Sequence, residues 1–241
     1  SSGVYDGLVP ADWSGTVTPV LAGHTFTPAS LTYDHITENQ TGQDYNSAFA
    51  SYPDRQALTD LYNGTAGGSW ANSNGWKTEP LYADGFALPG TEGSWHGVTV
   101  DPGSQRVTRI ELSGNTLGGM IPDSLSALTS LQVLDLSQNY LAGSIPTSLG
   151  TLLSLQTLNL GTNYLSDAIP DSLGSLTALQ HLYLNNNTLN GTIPTTLGGL
   201  TGLLNLSLAS NTLTGPIPTQ LGTLTALQTL ALNSNQLDSP I

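Results

Sequence analysis

Residues 107–241 consist of one unit of 24 residues that is repeated without insertion or deletion. Val107 opens the first unit, and the following units open in the same register at Leu131, Leu155, Leu179, Leu203 and Leu227. The unit reads LxxLxLxxNxLxGxIPxxLGxLxx, and the array contains almost six copies of it. A unit this short cannot bury its own leucines, so the array is stable only when successive units stack. The repeat therefore predicts a solenoid.

The segment LxxLxL predicts one short strand in each unit. Leu134 and Leu136 face one side of such a strand and Asp135 faces the other, because side chains alternate along a strand. Strands of successive units then lie in parallel, roughly 4.8 Å apart. The asparagine that follows each strand has a donor and an acceptor, and we expect it to satisfy backbone groups that the bend leaves unpaired. These asparagines are Asn115, Asn139, Asn163, Asn187, Asn211 and Asn235.

The pattern LxGxIPxxLGxL is similar to the plant-type, extracellular leucine-rich repeats. That group includes receptor-kinase ectodomains and polygalacturonase-inhibiting proteins. The resemblance implies a curved α/β solenoid that coils to the right, with a parallel sheet on its concave face. It also implies an extracellular or cell-surface location, N-glycosylation, and binding of a protein or glycan ligand without catalysis and without a cofactor. The motif forms the scaffold, so it does not identify the ligand.

The residues before the array divide into two parts. Residues 1–52 have no clear period and contain scattered aromatic residues, so we predict a segment of irregular or short extended structure, with a strand around residues 16–21. A flexible tail is one hypothesis for this segment. The other is an assembly arm that docks onto this solenoid or onto a neighbouring molecule. Residues 53–106 predict a cap for the open first coil of the stack.

The predicted cap starts with a helix and is rich in tryptophan. Pro53 and Asp54 can start this helix, and Asn63-Gly64 can end it. Trp70, Trp76 and Trp95 follow. The sequence from residue 94 to residue 101, SWHGVTVD, resembles the W-x-G-V-x-C-D turn of the plant-type cap. We expect Ser94 and Val100 to stand where that family has a cysteine pair, so packing of the tryptophans must hold the cap instead.

Charge and cysteine usage exclude several classes of function. The formal net charge is −13, from 4 basic and 17 acidic residues. The basic residues all precede the second unit, at Arg55, Lys77, Arg106 and Arg109. Nucleic acids and anionic membrane surfaces attract basic proteins, so neither is an expected partner. With 0 cysteines the chain has no disulfide or thiol chemistry, and no apolar run predicts a membrane span.

The last unit stops at Ile241, before the proline that its pattern requires. An exposed last coil presents leucines and an open sheet edge. One hypothesis is that the chain is a fragment of a longer array. The other is that another subunit covers this end, with residues 1–52 of a neighbour as the cover, so that head-to-tail contacts build a filament.

Outward positions of the predicted strands form the candidate binding surface, because such solenoids usually bind on the concave face. The candidate partner-binding residues are Arg109, Glu111, Asp135, His181 and Tyr183. Glu111 and Asp135 fall on adjacent strands, where they could bind a cation or a basic partner, and Arg109 is placed to neutralise them. A glycoside hydrolase using this acidic pair is a remote alternative. His181 and Tyr183 form a plausible recognition pair.

Other features favour weaker hypotheses. The candidate N-glycosylation sites are Asn39, Asn63, Asn186, Asn190 and Asn205. Threonines recur at one phase, at Thr129, Thr177, Thr201 and Thr225, which raises ice binding, although Leu153 interrupts the row. Asp167 and Ser239 replace the turn glycine of the other units, so we expect a locally altered turn there.

Overall fold

The structure, a computed structural model, describes residues 13–17, 24–27, 31–36, 46–49 and 54–238. The segment that we predicted to be irregular contains the strands β1 (Trp13–Val17), β2 (His24–Thr27), β3 (Leu31–Ile36) and β4 (Asn46–Phe49). Strand β1 pairs antiparallel with β3, and β2 pairs antiparallel with β4. These strands agree with the short extended structure that was the other part of our prediction for this segment. Of the strand predicted at residues 16–21, residues 16–17 belong to β1 and the rest lies outside the described residues.

The cap begins with helix α1 (Arg55–Gly64), which buries Ala57, Leu58 and Leu61. Asp54 precedes this helix, but its carboxylate does not cap it. Instead Oδ2 of Asp54 accepts hydrogen bonds from the Val107 backbone N–H at 2.6 Å and from Arg106 Nε at 3.1 Å. This buried carboxylate therefore ties the start of the cap to the first strand of the array.

Aromatic packing holds the cap together, as the tryptophan content predicted. Trp76 is fully buried at the centre, with ring centroids of Trp70, Tyr62 and Trp95 at 5.0, 5.7 and 4.8 Å. Its indole N–H donates to the His96 carbonyl oxygen at 3.0 Å. Aromatic rings bury much apolar area and gain from tilted contacts, so this cluster can replace a covalent link.

Gly93 is the residue that faces Val100 in the cap, rather than Ser94 as predicted. A Cβ atom built on Gly93 would lie 3.5 Å from Cβ of Val100. Ser94 instead donates its hydroxyl to the Thr91 carbonyl oxygen at 2.7 Å. Residues Glu92–Ser94 form a single 3-10 turn that leads to strand β5 (Val98–Val100). Because such a turn rotates successive side chains by roughly 120°, only one of them can face the strand.

The array places one strand of each coil on the concave side and short strands on the adjoining side. In chain order the strands are β6 (Val107–Glu111), β7 (Gly118–Gly119), β8 (Val133–Asp135), β9 (Tyr140–Ser144), β10 (Thr157–Asn159), β11 (Tyr164–Ser166), β12 (His181–Tyr183), β13 (Asn205–Ser207), β14 (Thr214–Gly215), β15 (Thr229–Ala231) and β16 (Gln236–Leu237). The main sheet has the order β15-β13-β12-β10-β8-β6-β5. Its strands are parallel except that β5 of the cap pairs antiparallel with β6. The predicted solenoid with a parallel sheet is confirmed.

The register of the main sheet is uniform. Leu158 of β10 pairs with Leu134 of β8 and with Leu182 of β12, and all three leucines are fully buried. The adjoining strands form the parallel rows β11-β9-β7 and β14-β16. Because every coil repeats the same register, side chains of one phase form straight columns on the surface.

Each proline of the IP segment precedes a 3-10 turn. The turns are Asp123–Ala127, Thr147–Thr151, Asp171–Ser175, Thr195–Gly199 and Thr219–Thr223. Proline has no N–H and a fixed φ, so it suits this entry position, where the backbone is extended. The turn then returns Leu149 and its equivalents to the core.

The repeated asparagine fills the predicted role. Asn163 is buried, and its Oδ1 accepts the Leu141 N–H at 3.0 Å. Its Nδ2 donates to the carbonyl oxygens of Leu136 at 3.0 Å and Leu160 at 3.1 Å. Asn187 and Asn211 repeat these contacts one and two coils further on. The asparagines thus join neighbouring coils where the strand pairing ends.

Asp167 does not alter its turn, contrary to our prediction. Its φ of 65° lies in the left-handed region, as do the values of 78° at Gly143 and 72° at Gly191. Aspartate tolerates this conformation better than most residues. The turn is therefore retained in this coil with some backbone strain, and Ser239 lies outside the described residues.

Candidate recognition surface

The concave face is defined here as the outward third and fifth positions of β6, β8, β10, β12, β13 and β15. The third positions are Arg109, Val133, Thr157, His181, Asn205 and Thr229, and the fifth are Glu111, Asp135, Asn159, Tyr183, Ser207 and Ala231. All of these side chains are half-buried or exposed. The residues between them are fully buried in the first five strands, at Ile110, Leu134, Leu158, Leu182 and Leu206, whereas Leu230 of β15 is 39% exposed. The sheet therefore presents two straight columns of mostly small, uncharged side chains to solvent.

Arg109 and Glu111 form an ion pair at the cap end of this face. Arg109 Nε donates to Glu111 Oε2 at 3.0 Å, and Nη2 donates to Oε1 at 2.8 Å. The hydrogen bonds from Arg109 hold the pKa of the Glu111 carboxyl below its ordinary value. A general acid in glycoside hydrolysis needs a raised pKa, so Glu111 is tuned in the opposite direction.

Asp135 is the register partner of Glu111 on the next strand, but it uses other hydrogen-bond partners. Its Oδ1 accepts the backbone N–H of Ser137 at 3.0 Å and the hydroxyl of the same residue at 2.7 Å. Its Oδ2 accepts Asn159 Nδ2 at 3.2 Å. Our prediction that Arg109 neutralises the acidic pair therefore holds for Glu111 only.

His181 and Tyr183, which we predicted to be a recognition pair, lie side by side in the middle of the face. Their rings are nearly parallel, at 7°, with centroids 6.2 Å apart. Nδ1 of His181 lies 2.7 Å from Oδ1 of Asn205, and Nδ2 of Asn205 donates to Thr229 Oγ1 at 2.8 Å. Hydrogen bonds across β12, β13 and β15 thus hold the side chains in the column of third positions.

A shallow cleft of about 230 Å³ opens where β8, β10 and β12 end. We call it the amide cleft, and it is lined by Ser137, Gln138, Asn159, Gly161, Thr162, Tyr183 and Asn185. Of these residues, the sequence analysis had selected only Tyr183 as a site residue. One signal in the sequence could have revealed the cleft, because Gly161 occupies a phase at which neighbouring units have Ser137 and Asn185.

The sequons differ in their accessibility. Asn63, Asn186 and Asn190 are exposed. Asn205 is half-buried on the concave face, and its amide is engaged with Thr229. Asn39 lies outside the described residues. Glycosylation at these positions stays a prediction.

The threonine row is exposed but interrupted. Thr129, Thr177, Thr201 and Thr225 are exposed, and Leu153 stands between the first two with 60% of its surface accessible. Within the part of the chain that the structure describes, no group of three or more His, Cys, Asp or Glu residues is placed to hold a metal ion. No helix among those residues has the length and apolar character to cross a membrane.

Comparisons with known proteins agree with this geometry. A family profile described as a leucine-rich repeat region matches residues 106–240. No curated protein sequence matches the chain. The structure of the Arabidopsis receptor kinase HAESA with the peptide hormone IDA and the co-receptor SERK1 is similar, with 32% identity and a TM-score of 0.67. That likeness covers 77% of this chain but only 30% of the matched chain.

Two further structures share the fold. The BIR2 ectodomain from Arabidopsis thaliana is 31% identical with a TM-score of 0.63, over 77% of this chain and 94% of BIR2. A plant ice-binding protein is 24% identical with a TM-score of 0.54, over 77% of this chain and 72% of that protein, which shows the fold alone. The profile matches more than half of the chain, and this chain spans nearly all of BIR2. The chain belongs to the leucine-rich-repeat family and resembles the plant ectodomains within it.

Proposed function

We propose that this protein is an extracellular, non-enzymatic recognition module that binds a protein or glycan partner on its concave face. The observation that carries this proposal is the uniform register of the sheet, which holds two columns of accessible side chains in fixed positions. A surface fixed before binding loses little conformational freedom in the complex. His181 and Tyr183 supply an aromatic anchor of the kind that dominates interface energetics.

The similar proteins support the same proposal. HAESA is described in complex with a peptide hormone and a co-receptor, and BIR2 is described as an ectodomain. The charge distribution adds to this support. Since no Lys or Arg follows Arg109, a polyanionic partner would find no counter-charge on most of the face. A largely neutral partner fits this surface better.

Binding assays with matched tyrosine variants test the proposal. Purified protein is screened by interferometry against arrays of secreted proteins and glycans, and each hit is measured with His181→Ala and Tyr183→Ala. Tyr140→Ala is the matched control, because Tyr140 is 57% exposed on β9, outside the concave face. We expect the two concave-face variants to weaken binding at least about tenfold, as loss of an interface anchor does. Partners that bind both variants with the affinity of wild type would show that the concave face is not the binding surface.

Head-to-tail self-assembly is the alternative that we predicted from sequence. Light scattering over a concentration series tests it on the same protein. Particle mass that grows with concentration, and that returns to a monomer when residues 1–52 are deleted, would support the filament. A constant monomer mass would contradict it.

A further inference from the structure

We infer that the amide cleft binds one uncharged sugar unit of a glycan, a step that rests on the proposed recognition function and names its ligand class. The cleft is lined by hydroxyl, phenol and amide groups and by one glycine, without a charged side chain. Amides and hydroxyls both donate and accept hydrogen bonds. Sugar hydroxyl groups do the same, so the lining complements an uncharged, hydroxyl-rich ligand.

Several lining groups are free to bind. The side chains of Gln138, Thr162, Tyr183 and Asn185 make no hydrogen bond to another group within the described ranges. They line the same cleft from three successive coils, so a single ligand can reach all of them. A few convergent polar groups beside an aromatic ring are typical of small-molecule sites.

The floor of the cleft is fixed by hydrogen bonds. Asn159 Nδ2 donates to Asp135, and Oδ1 of the same amide accepts the Gly161 backbone N–H at 3.2 Å. Ser137 donates its hydroxyl to Asp135 at 2.7 Å. These bonds hold the orientation of Asn159 and Ser137 before any ligand arrives, which lowers the entropic cost of binding.

Gly161 leaves room for two of the amides that line the cleft. A Cβ atom on this residue would lie 2.9 Å from Asn185 Oδ1 and 3.4 Å from Asn159 Oδ1. The backbone of Gly161 does not have the positive φ that would demand glycine. The equivalent residues of other units are Ser113, Ser137, Asn185, Ala209 and Asn233, so side chains are accepted at this phase. Glycine at this one coil therefore lets the amide oxygens of Asn185 and Asn159 lie close to the backbone, and a side chain here would displace the Asn185 amide.

Tyr183 provides the wall on which a sugar ring can pack. The face of an aromatic ring has a partial negative charge and attracts the C–H groups of a pyranose. An apolar side chain of a peptide would leave the surrounding amides unpaired, which costs binding energy. A cationic sugar would find the Asp135 carboxylate already hydrogen-bonded to Ser137 and Asn159. An anionic sugar would find no Lys or Arg beyond Arg109. The lining therefore favours a neutral sugar.

The size of the cleft limits how much of a ligand it can hold. Its volume of about 230 Å³ is below the ~300 Å³ at which small-molecule sites usually start. One monosaccharide unit fits this space, and the neighbouring units must lie along the open concave face beside Thr157 and His181. A polysaccharide or oligosaccharide is thus the expected form of the ligand.

Affinity electrophoresis provides the test. Wild-type protein runs through gels that contain soluble β-glucan, galactomannan or arabinoxylan, and through one that contains polygalacturonate. Gly161→Asn adds a side chain that must displace the Asn185 amide from the lining of the cleft. Ala209→Asn places the same side chain at the same phase two coils away. We expect retardation by at least one neutral polysaccharide, with an apparent Kd that rises at least about tenfold in Gly161→Asn and stays within about twofold in Ala209→Asn. Tyr183→Phe, which removes only the hydroxyl, should weaken binding several-fold.

Other outcomes overturn the inference. Retardation by polygalacturonate alone, by no polysaccharide, or equally in wild type and Gly161→Asn would each do so. An array of synthetic peptides is the second probe, and peptide binding that Gly161→Asn abolishes would reassign the cleft to a peptide. A partner whose binding depends on His181 but not on Gly161 would leave the proposed function standing without the cleft. Binding that depends on neither His181 nor Gly161 would contradict both the proposed function of the concave face and the role of the cleft.

Discussion

Gly174 lies directly against Thr196 of the next coil, with no room for a side chain between them. A Cβ atom on Gly174 would be 2.5 Å from the Thr196 carbonyl oxygen. The same contact recurs between Gly150 and Ser172, at 2.4 Å. Since real Cβ atoms do not approach backbone oxygens this closely, the glycine of the LG pair sets the distance between successive 3-10 turns.

Substitution of Gly174 by alanine should therefore destabilise the solenoid. The added methyl group overlaps backbone of the next coil, which can yield only if the two coils separate. We expect a loss of about 1–3 kcal/mol in the free energy of unfolding, the usual cost of overpacking a close contact. Urea denaturation followed by tryptophan fluorescence and circular dichroism measures it.

Gly222 is the matched control for this substitution. It occupies the same phase in the last 3-10 turn of the described residues, Thr219–Thr223, and a Cβ atom there meets nothing within 4 Å. Gly222→Ala should be neutral or raise stability by up to about 1 kcal/mol, because alanine restricts the unfolded chain. Equal effects of the two substitutions would show that helical propensity, rather than contact between coils, determines the role of these glycines.

Removal of the Asn163 side chain should weaken the joint between coils. Asn163→Ala leaves the Leu141 N–H and the carbonyl oxygens of Leu136 and Leu160 without this partner in a buried setting. We expect a loss of at least about 2 kcal/mol, because unpaired buried polar groups are costly. Asn233→Ala, at an exposed asparagine, should change stability by less than about 0.5 kcal/mol. Similar losses of unfolding free energy in the two variants would show that the buried asparagines do not stabilise the contact between coils.

The repeat allowed the solenoid, its strand positions and its asparagine contacts to be predicted from sequence, because each coil contacts only its neighbours. Arg109 and Glu111 lie two residues apart on β6, and His181 and Tyr183 lie two residues apart on β12. Spacing alone therefore places each of these predicted pairs together on one face of the sheet. The amide cleft was missed because it depends on an absent side chain at Gly161. Ser137, Gln138, Thr162 and Asn185 follow the strands, and the leucine pattern does not determine the orientation of their side chains.

The cap shows where sequence spacing fails. Ser94 and Gly93 are adjacent, and only the hydrogen bonds of the 3-10 turn decide which one faces Val100. Asp167 shows the reverse case, since a residue that breaks the glycine pattern keeps the same backbone conformation. In both places the local backbone, rather than the residue type, determines the outcome.

A disulfide introduced between positions 93 and 100 should form and stabilise the cap. The distance of 3.5 Å between the two Cβ positions lies within the range of natural disulfides, about 3.5–4.5 Å. We expect Gly93→Cys with Val100→Cys to oxidise and to add up to about 2 kcal/mol, since the closed loop is short. Ser94→Cys with Val100→Cys is the matched control, and mass spectrometry after thiol labelling reports the bond. Oxidation of the control but not of the first pair would contradict the geometry.

Stability of the cap should fall in acid because of Asp84. Burial raises the pKa of this carboxyl, but hydrogen bonds from Arg55 and from the Phe86 N–H outweigh it and hold the pKa below the ordinary 3.8. The unfolded state therefore binds the proton first, so the stabilisation is complete above about pH 3.8 and is lost as the pH falls further. We expect Asp84→Asn to have a lower Tm than wild type at pH 6 and the gap to close below pH 3.8. A gap that stays constant from pH 6 to 2.5 would show that the carboxylate charge does not stabilise the cap.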